Sequence, residues 1–311
     1  MRMAAIAEEA GSLIPLPGIP REMANERPFR RPDIAVEWKL LKKAWSLHRR
    51  GKEKLSGRQL AEASARYYAS DPLNDIQDWL WRFMLFSCQP AYEPKFQAAF
   101  GSIRPLLDLD KFADFKRIYD GDLSIERGNR YFGIMRDYFL AFSDFGQVHF
   151  LVVKGIGVDG GQTASSVNFA MTRMFYGNAF ETFSASVDVL AYLNNLSSGR
   201  DFDKFKILTR RKYLELDKSS RFDAFDMNAS FIALCDERDN QLRNASHHGA
   251  FQFDQDTQLI TYQSGKGGVG AIQTIGYAAY LEKCTKLFLQ IMTLLRCEIM
   301  LCHLCRMRPP L

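Results

Sequence analysis

The sequence predicts an all-α protein in two parts, an N-terminal helical domain and a C-terminal helical bundle with one small β-hairpin. Apolar residues recur at spacings of three and four along most of the chain, which is typical of amphipathic helices. Strand-like alternation is confined to one stretch before the last helix. With 311 residues, 47% of them hydrophobic, the chain is long enough to bury substantial cores, and wholesale disorder is excluded.

The N-terminal part is expected to consist of an arm and a helical domain. Residues 1–35 carry five of the eleven prolines, which indicates an extended or weakly ordered arm. Residues 36–150 are expected to form the N-terminal helical domain. Its first helix places Trp38, Leu41 and Trp45 on one face.

Further elements of this domain follow from capping and periodicity. Asp71 and Pro72 are suited to the N-cap and first position of a helix. A strong helical pattern covers residues 126–142, and a short apolar run follows at 148–153. The glycine cluster at 154–161 predicts a linker or hairpin, so the domain boundary is placed there.

Residues 160–308 are expected to form the C-terminal bundle. Its predicted elements, in chain order, are a long helical region at 164–196, shorter helices at 204–216 and 222–247, a hairpin within 250–263 and a final helix at 272–304.

Charge and hydropathy limit the function classes. The formal net charge of +5 permits a polyanionic partner without requiring one. No uncharged apolar run approaches the roughly 20 residues that a membrane-spanning helix requires. Glu8 and Glu9 interrupt the segment in which a secretory signal would be apolar. We therefore expect a soluble, cytoplasmic protein with no membrane partner.

The most informative segment lies in the predicted helix 222–247. Its apolar stripe becomes polar in the last turns, where Asp239, Arg243 and His247 continue the same face. Charged residues are rarely buried without a partner, so this face is expected to line a cleft or contact a partner. Asp239 precedes Arg243 by four residues, a spacing at which the carboxylate can hold the guanidinium.

Gly249 supplies a stop for this helix. On a continuous helix, His248 would point about 140° away from Arg243. If the helix ends at His247 or His248, the imidazole of His248 can turn back toward Arg243. A helix C-terminus favours the imidazolium form, which suits a proton donor near neutral pH.

The string Arg243-Asn244-Ala245-Ser246-His247-His248 resembles the R-x4-6-H motif of the HEPN superfamily, in which a polar residue follows the arginine. That superfamily consists of helical domains, many of them metal-independent ribonucleases of toxin–antitoxin, CRISPR and phage-defence systems. The resemblance covers roughly residues 164–300. It implies a HEPN-like bundle that cleaves RNA as a homodimer without a metal or other cofactor, and an antitoxin or defence-system protein as a further partner.

The resemblance also implies roles for the motif. Arg243 would clamp the scissile phosphate and His248 would act as general acid or base, with Asn244 as the positioning group. The products would be a 2′,3′-cyclic phosphate and a 5′-hydroxyl. His247 lies on the face of Arg243 and could replace His248 or support it, and Asp239 would border the substrate. Two alternatives stay open: a binding module without catalysis, and a structural Arg–Asp–His cluster.

A glycine-rich string at residues 264–270 resembles the phosphate loop of deviant Walker NTPases. Ala271 and Ile272 stand where the lysine and the serine or threonine of that loop would be, so the phosphate clamp and the magnesium ligand are missing. A flexible turn is the simpler interpretation. In that case Lys266 and the backbone amides could still contact an RNA phosphate.

Two other features have simpler structural explanations. Residues 39–58 contain eight lysines and arginines, and Trp38, Trp45 and His48 lie before or among them, which would suit single-stranded RNA, but the tryptophans lie at core spacing. Cys297, Cys302, His303 and Cys305 are metal-ligating types, yet one helix directs neighbouring side chains to different faces. We expect packed thiols there and no metal.

Overall fold

The computed structural model describes residues 34–159, 161–247, 251–263, 265 and 270–311. It is mostly helical, with a small three-stranded antiparallel sheet, which confirms the predicted predominance of helices. The predicted arm at 1–35 lies almost entirely outside the described residues. By its internal contacts the chain divides into a first unit that ends at Trp79 and a second unit, Leu80–Leu311. The sequence placed the boundary between residues 150 and 160.

The helices, in chain order, are α1 (Ile34–Arg49), α2 (Glu53–Tyr67), α3 (Ile76–Cys88), α4 (Glu93–Ile103), α5 (Phe112–Ile118), α6 (Ser124–Leu140), α7 (Phe142–Val153), α8 (Phe169–Thr172), α9 (Phe175–Ser186), α10 (Asp188–Ser197), α11 (Arg210–Leu214), α12 (Ala229–Ala233), α13 (Asn240–His247) and α14 (Tyr277–Cys305). Short 3₁₀ segments lie at Arg104–Asp108 and Lys218–Phe225, and a π-type turn lies at Tyr119–Leu123.

The sheet contains β1 (Gln252–Asp254), β2 (Leu259–Gln263) and β3 (Ile272–Gly276) in that order, with both pairs antiparallel. The pairing of β1 with β2 confirms the predicted hairpin. Strand β3 was not predicted, because the final helix was expected to begin at Ile272. In the structure Ile272 pairs with Gln263, and α14 begins only at Tyr277.

The first unit is built on α1 and α2. Trp38, Leu41 and Trp45 are buried, as their spacing predicted. Ser56 of α2 donates a hydrogen bond to the carbonyl of Ala44, which joins the two helices. The basic residues of the 39–58 stretch are mostly exposed, so the tryptophans belong to the core and the charges to its solvated face.

The second unit is organised around α14, which is buried over most of its length. Helices α4, α6, α7 and α9 all pack against it. An apolar helix surrounded by others has no solvated face to keep polar, and this explains the nearly continuous apolar sequence of α14. Helices on both sides of the predicted 150–160 boundary therefore share one core.

A buried ionic cluster joins α6, α10 and α14. Arg127 of α6 is 1% exposed, and it donates to Glu298 of α14, also 1% exposed, through Nε at 2.7 Å. It also contacts Asp188 at the start of α10. Tyr119 and Tyr131 donate their hydroxyl protons to Glu298. These polar groups satisfy one another, as burial requires.

The predicted continuous helix 222–247 is wrong. Asn228 and Asp239 each accept hydrogen bonds from backbone N–H groups two or three residues further on, so each of them caps a new helix. The region consequently consists of the 3₁₀ segment, α12 and α13, with residues 236–239 between the last two in neither helix nor strand. The polar residues assigned to one long stripe thus lie on separate elements.

Candidate functional site

Helix α13 carries the predicted site and is held at its start by Asp239. The Asp239 carboxylate oxygen Oδ1 accepts from the backbone N–H groups of Gln241 at 3.0 Å and Leu242 at 2.9 Å. Its other oxygen lies 3.4 Å from Nζ of Lys283. The backbone N–H of Asp239 donates to the hydroxyl of Tyr176 at 2.8 Å. Asp239 therefore caps and stabilises the first turn of α13.

The far end of α13 packs closely on α9 at Gly177. Ser246 accepts a hydrogen bond from the N–H of Gly177 at 3.2 Å and donates one to the carbonyl of Arg173 at 2.8 Å. A Cβ atom at Gly177 would lie 3.0 Å from the ring of His247 and 3.0 Å from Oγ of Ser246. The absence of a side chain at this position lets the two helices approach.

One helical turn away, Arg243 of α13 meets Glu181 of α9. The guanidinium donates through Nε at 2.8 Å and through Nη2 to the same carboxylate oxygen. Its Nη1 donates to Oδ1 of Asn244 at 2.8 Å. The side chains of Arg243 and Glu181 are 27% and 30% exposed, so the pair lies at the solvent-exposed edge of the contact between α13 and α9. The expected pairing of Arg243 with Asp239 is wrong, because Asp239 is engaged as the helix cap.

The end of α9 next to this pair is surrounded by cations. Arg221 donates to the carbonyl of Ser184 at 3.5 Å, and Arg130 donates to that of Ala185 at 3.0 Å. The last carbonyls of a helix lack partners within it and carry partial negative charge, which explains these arginines. Lys218 lies in the 3₁₀ segment that contains Arg221. Burial, together with the nearby positive charges, lowers the pKa of Lys218.

Of the two histidines of the motif, the structure describes His247 and not His248. The ring of His247 lies against Gly177, and its Nε2 is buried without a hydrogen-bond partner among the described residues. His248 lies outside the described residues, as does Lys266. Gly265, which is described, lies next to the start of α13, because its N–H donates to Oε1 of Gln241. The glycine-rich loop joins two strands, so the strand–loop–helix context of a phosphate loop is absent.

A separate cleft of about 440 Å³ lies where residues 236–237 meet α4 and α14. Its charged groups are largely paired with one another: Lys95 with Asp236 at 2.6 Å, and Lys286 with Glu282 at 2.9 Å. Burial raises the pKa of Glu237 at its edge. These pairs neutralise one another, so the cleft presents no strong preference for one charge.

The remaining sequence features do not form a second site. Cys297 and Cys302 are buried thiols on α14, whereas His303 is exposed. Within the described ranges, no three His, Cys, Asp or Glu side chains are grouped as metal ligands would be. In that same part of the chain, α14 is long and apolar enough to cross a membrane, but 89% of its most apolar window is buried within the protein, which makes it weak evidence for a span.

Sequence reasoning missed the partner of Arg243 and the cations beside it. A signal for Glu181 was present, since it is the only acidic residue in the helix sequence of α9. The four-residue spacing of Gly177 and Glu181 also matches that of Arg243 and His247 on a helix packed in the opposite direction. Lys218 had no such signal, because its position follows from how the 3₁₀ segment folds against α9.

Comparison with known proteins adds no identification: no family model, no curated protein and no solved structure matches this chain.

Proposed function

We propose that the chain is a metal-independent endoribonuclease of the HEPN type, with its site at the end of α13. The observation that carries the proposal is the arrangement of Arg243. Its guanidinium is partly exposed, donates a hydrogen bond to Asn244 and is held in place by an ion pair with Glu181. His247 lies one turn further along the same helix. The wider proposal includes a HEPN-like bundle, a cytoplasmic homodimer acting as a toxin or phage-defence effector, and an antitoxin or defence-system partner.

The geometry of Arg243 suits a phosphate. Its three hydrogen bonds to Glu181 and Asn244 leave N–H donors on both Nη atoms without a partner among the described residues. Two parallel N–H groups match two phosphate oxygens, and the guanidinium charge offsets the negative charge that develops as phosphorus is attacked. Glu181 holds the guanidinium plane in place, which limits the entropy lost on binding.

In the reaction, the 2′-hydroxyl of the RNA attacks the adjacent phosphorus and the bond from phosphorus to the 5′-oxygen breaks. The proton of the 2′-hydroxyl leaves to a base, and the 5′-oxygen receives a proton from an acid. His248 serves as the general acid or the general base in one of these two proton transfers and water serves in the other, while Asn244 orients the phosphate. The products are a 2′,3′-cyclic phosphate and a 5′-hydroxyl.

We assign His247 a positioning role and His248 the proton transfer. Nε2 of His247 is buried, and the ring is confined against Gly177. A ring in that position can support the end of α13 but reaches solvent and substrate poorly. His248 directly follows the last residue of α13 in sequence.

The test is cleavage of end-labelled single-stranded RNA and tRNA in EDTA. Arg243→Ala and His248→Ala should each lower the rate about 10²-fold or more, as expected for groups that stabilise the transition state or transfer protons. His247→Ala should lower it less. Arg211→Ala and His303→Ala, both at exposed positions, are the matched controls. Unchanged cleavage by Arg243→Ala would refute the assignment.

A second function has one observation in its favour, namely that Arg243 is already paired with a carboxylate. In a non-catalytic binding module, a nucleotide or an acidic partner would occupy the same position without being cleaved. This candidate predicts that folded wild-type protein leaves RNA intact. It also predicts thermal stabilisation by nucleotides that is lost in Arg243→Ala, since a ligand at 100 times its Kd stabilises by about 2.7 kcal/mol.

A further inference from the structure

The cationic groups near Arg243 form a row along one face of α9. Arg243 lies at Glu181, Arg221 at Ser184 and Arg130 at Ala185. From residue 181 to residue 185 the helix rises about 6 Å. The row therefore extends beyond the reach of a single phosphate group.

Members of the row differ in their exposure and in the hydrogen bonds and ion pairs that they already form. Arg221 is only 7% exposed, and its guanidinium donates to two backbone carbonyls, of Ser184 and Leu214. Arg130 is paired with Glu126 but keeps 26% of its side chain exposed. Lys218 is half-buried and has no hydrogen-bond or ion-pair partner among the described residues. A partly desolvated ammonium without a directly bound counter-ion is an incomplete arrangement that an anion would complete.

Glu181 is a negative charge near Lys218 and acts to raise the pKa of that ammonium, but the two side chains form no ion pair. It contributes one negative charge, and both of the hydrogen bonds it accepts come from Arg243. Around it, the positive charges of Lys218, Arg130, Arg221 and Arg243 act on one another, and the largest cause of the lowered pKa of Lys218 after burial is Arg221. The group as a whole carries excess positive charge next to the proposed site.

We infer that Lys218 and Arg130 extend the anion site of Arg243 along α9 and bind backbone phosphates of RNA next to the phosphate that is cleaved. The inference rests on the proposed function for the identity of its ligand. A row of partly exposed cations over about 6 Å suits a chain with one negative charge per nucleotide. The test is made on Lys218, because its ammonium forms no hydrogen bond or ion pair within the described part of the protein.

The test measures binding separately from cleavage. A fluorescent single-stranded RNA with every 2′-hydroxyl methylated lacks the nucleophile, and its affinity is followed by anisotropy over a series of salt concentrations. Lys218→Ala should weaken binding about three- to tenfold near 0.15 M salt and reduce the slope of log K against log salt by about 0.7, the loss of one phosphate contact. Lys218→Arg keeps the charge and should bind as the wild type does. Lys154→Ala removes an exposed lysine outside the row and is the matched control.

The outcomes separate the inference from the proposed function. Equal affinity and equal salt slope for wild type, Lys218→Ala and Lys154→Ala would overturn the inference, whether or not the wild type cleaves RNA. Failure of the wild type to bind the methylated RNA would also overturn it. Binding that depends on Lys218, with no cleavage of ordinary RNA in EDTA, would uphold the inference and refute the nuclease. With cleavage present, Lys218→Ala should raise KM and leave kcat unchanged.

Discussion

Replacing Gly177 by alanine tests the contact on which the site depends. The added Cβ would lie 3.0 Å from Cδ2 and Nε2 of His247 and from Oγ of Ser246. The serine cannot withdraw easily, because its hydroxyl is buried and bonded to backbone groups of Arg173 and Gly177. Forcing a methyl group into a close-packed interface costs about 1–3 kcal/mol.

Alanine also favours helix formation, by about 0.5–1 kcal/mol relative to glycine, and this opposes the packing cost. Gly133 provides the matched control, since it lies inside α6 and a Cβ there would meet nothing within 4 Å. Gly133→Ala should therefore stabilise the protein by about 0.5–1 kcal/mol. The helix propensity cancels in the difference between the two variants, which leaves the packing term of about 1–3 kcal/mol.

Urea-induced unfolding followed by far-ultraviolet circular dichroism measures both variants. We expect the midpoint of Gly177→Ala to fall below that of Gly133→Ala by the amount that corresponds to this difference. RNA cleavage by Gly177→Ala should fall as well, because His247 and the end of α13 must move. Equal stabilisation by the two substitutions would show that α13 does not pack on α9 at Gly177, and the description of the site would then be incorrect.

Three further predictions follow from buried or capping groups. Arg127→Met should lower the free energy of unfolding by about 3–5 kcal/mol in urea titrations, because Glu298 and Asp188 lose their buried counter-ion. Burial lowers the pKa of His149 to about 4 from its usual 6.5, so the unfolded chain binds protons more readily. Stability should be full above about pH 6.5 and fall as the pH drops toward 4, and His149→Gln should reduce that loss in unfolding curves at about pH 7 and 5. Asp239→Ala removes a helix cap and should cost about 1 kcal/mol, with faster amide hydrogen exchange at the first turn of α13.

The parts of the fold that sequence predicted well are those with a long or regular pattern. The helical apolar pattern of the last helix and the strand-like alternation within 250–263 each involve neighbouring residues, and the structure has a helix and a hairpin there. The start of α14 was misplaced because Ile272 and Thr274 fit both a helix and a strand. Their pairing with β2 decides between the two, and pairing is a long-range property.

The site was predicted only where it is local in sequence. Arg243 and Asn244 lie side by side and hydrogen-bond to each other, as a motif on one helix allows. The prediction that one helical face continues through Asp239 was wrong. The spacing of residues is helical on both sides of Asp239, but this residue caps a new helix. Glu181 lies 62 residues away in sequence from Arg243, so its role depends on how α9 and α13 pack.

We propose that Arg243 and a histidine at the end of α13 cleave RNA through its 2′-hydroxyl. The most direct measurement uses the purified protein in EDTA with one RNA strand, and with the same strand carrying a single 2′-deoxynucleotide at the cleaved position. We expect a 2′,3′-cyclic phosphate and a 5′-hydroxyl from the RNA, no cleavage at the deoxynucleotide, and neither reaction in Arg243→Ala. Cleavage at the deoxynucleotide, or undiminished cleavage by Arg243→Ala, would contradict the proposal.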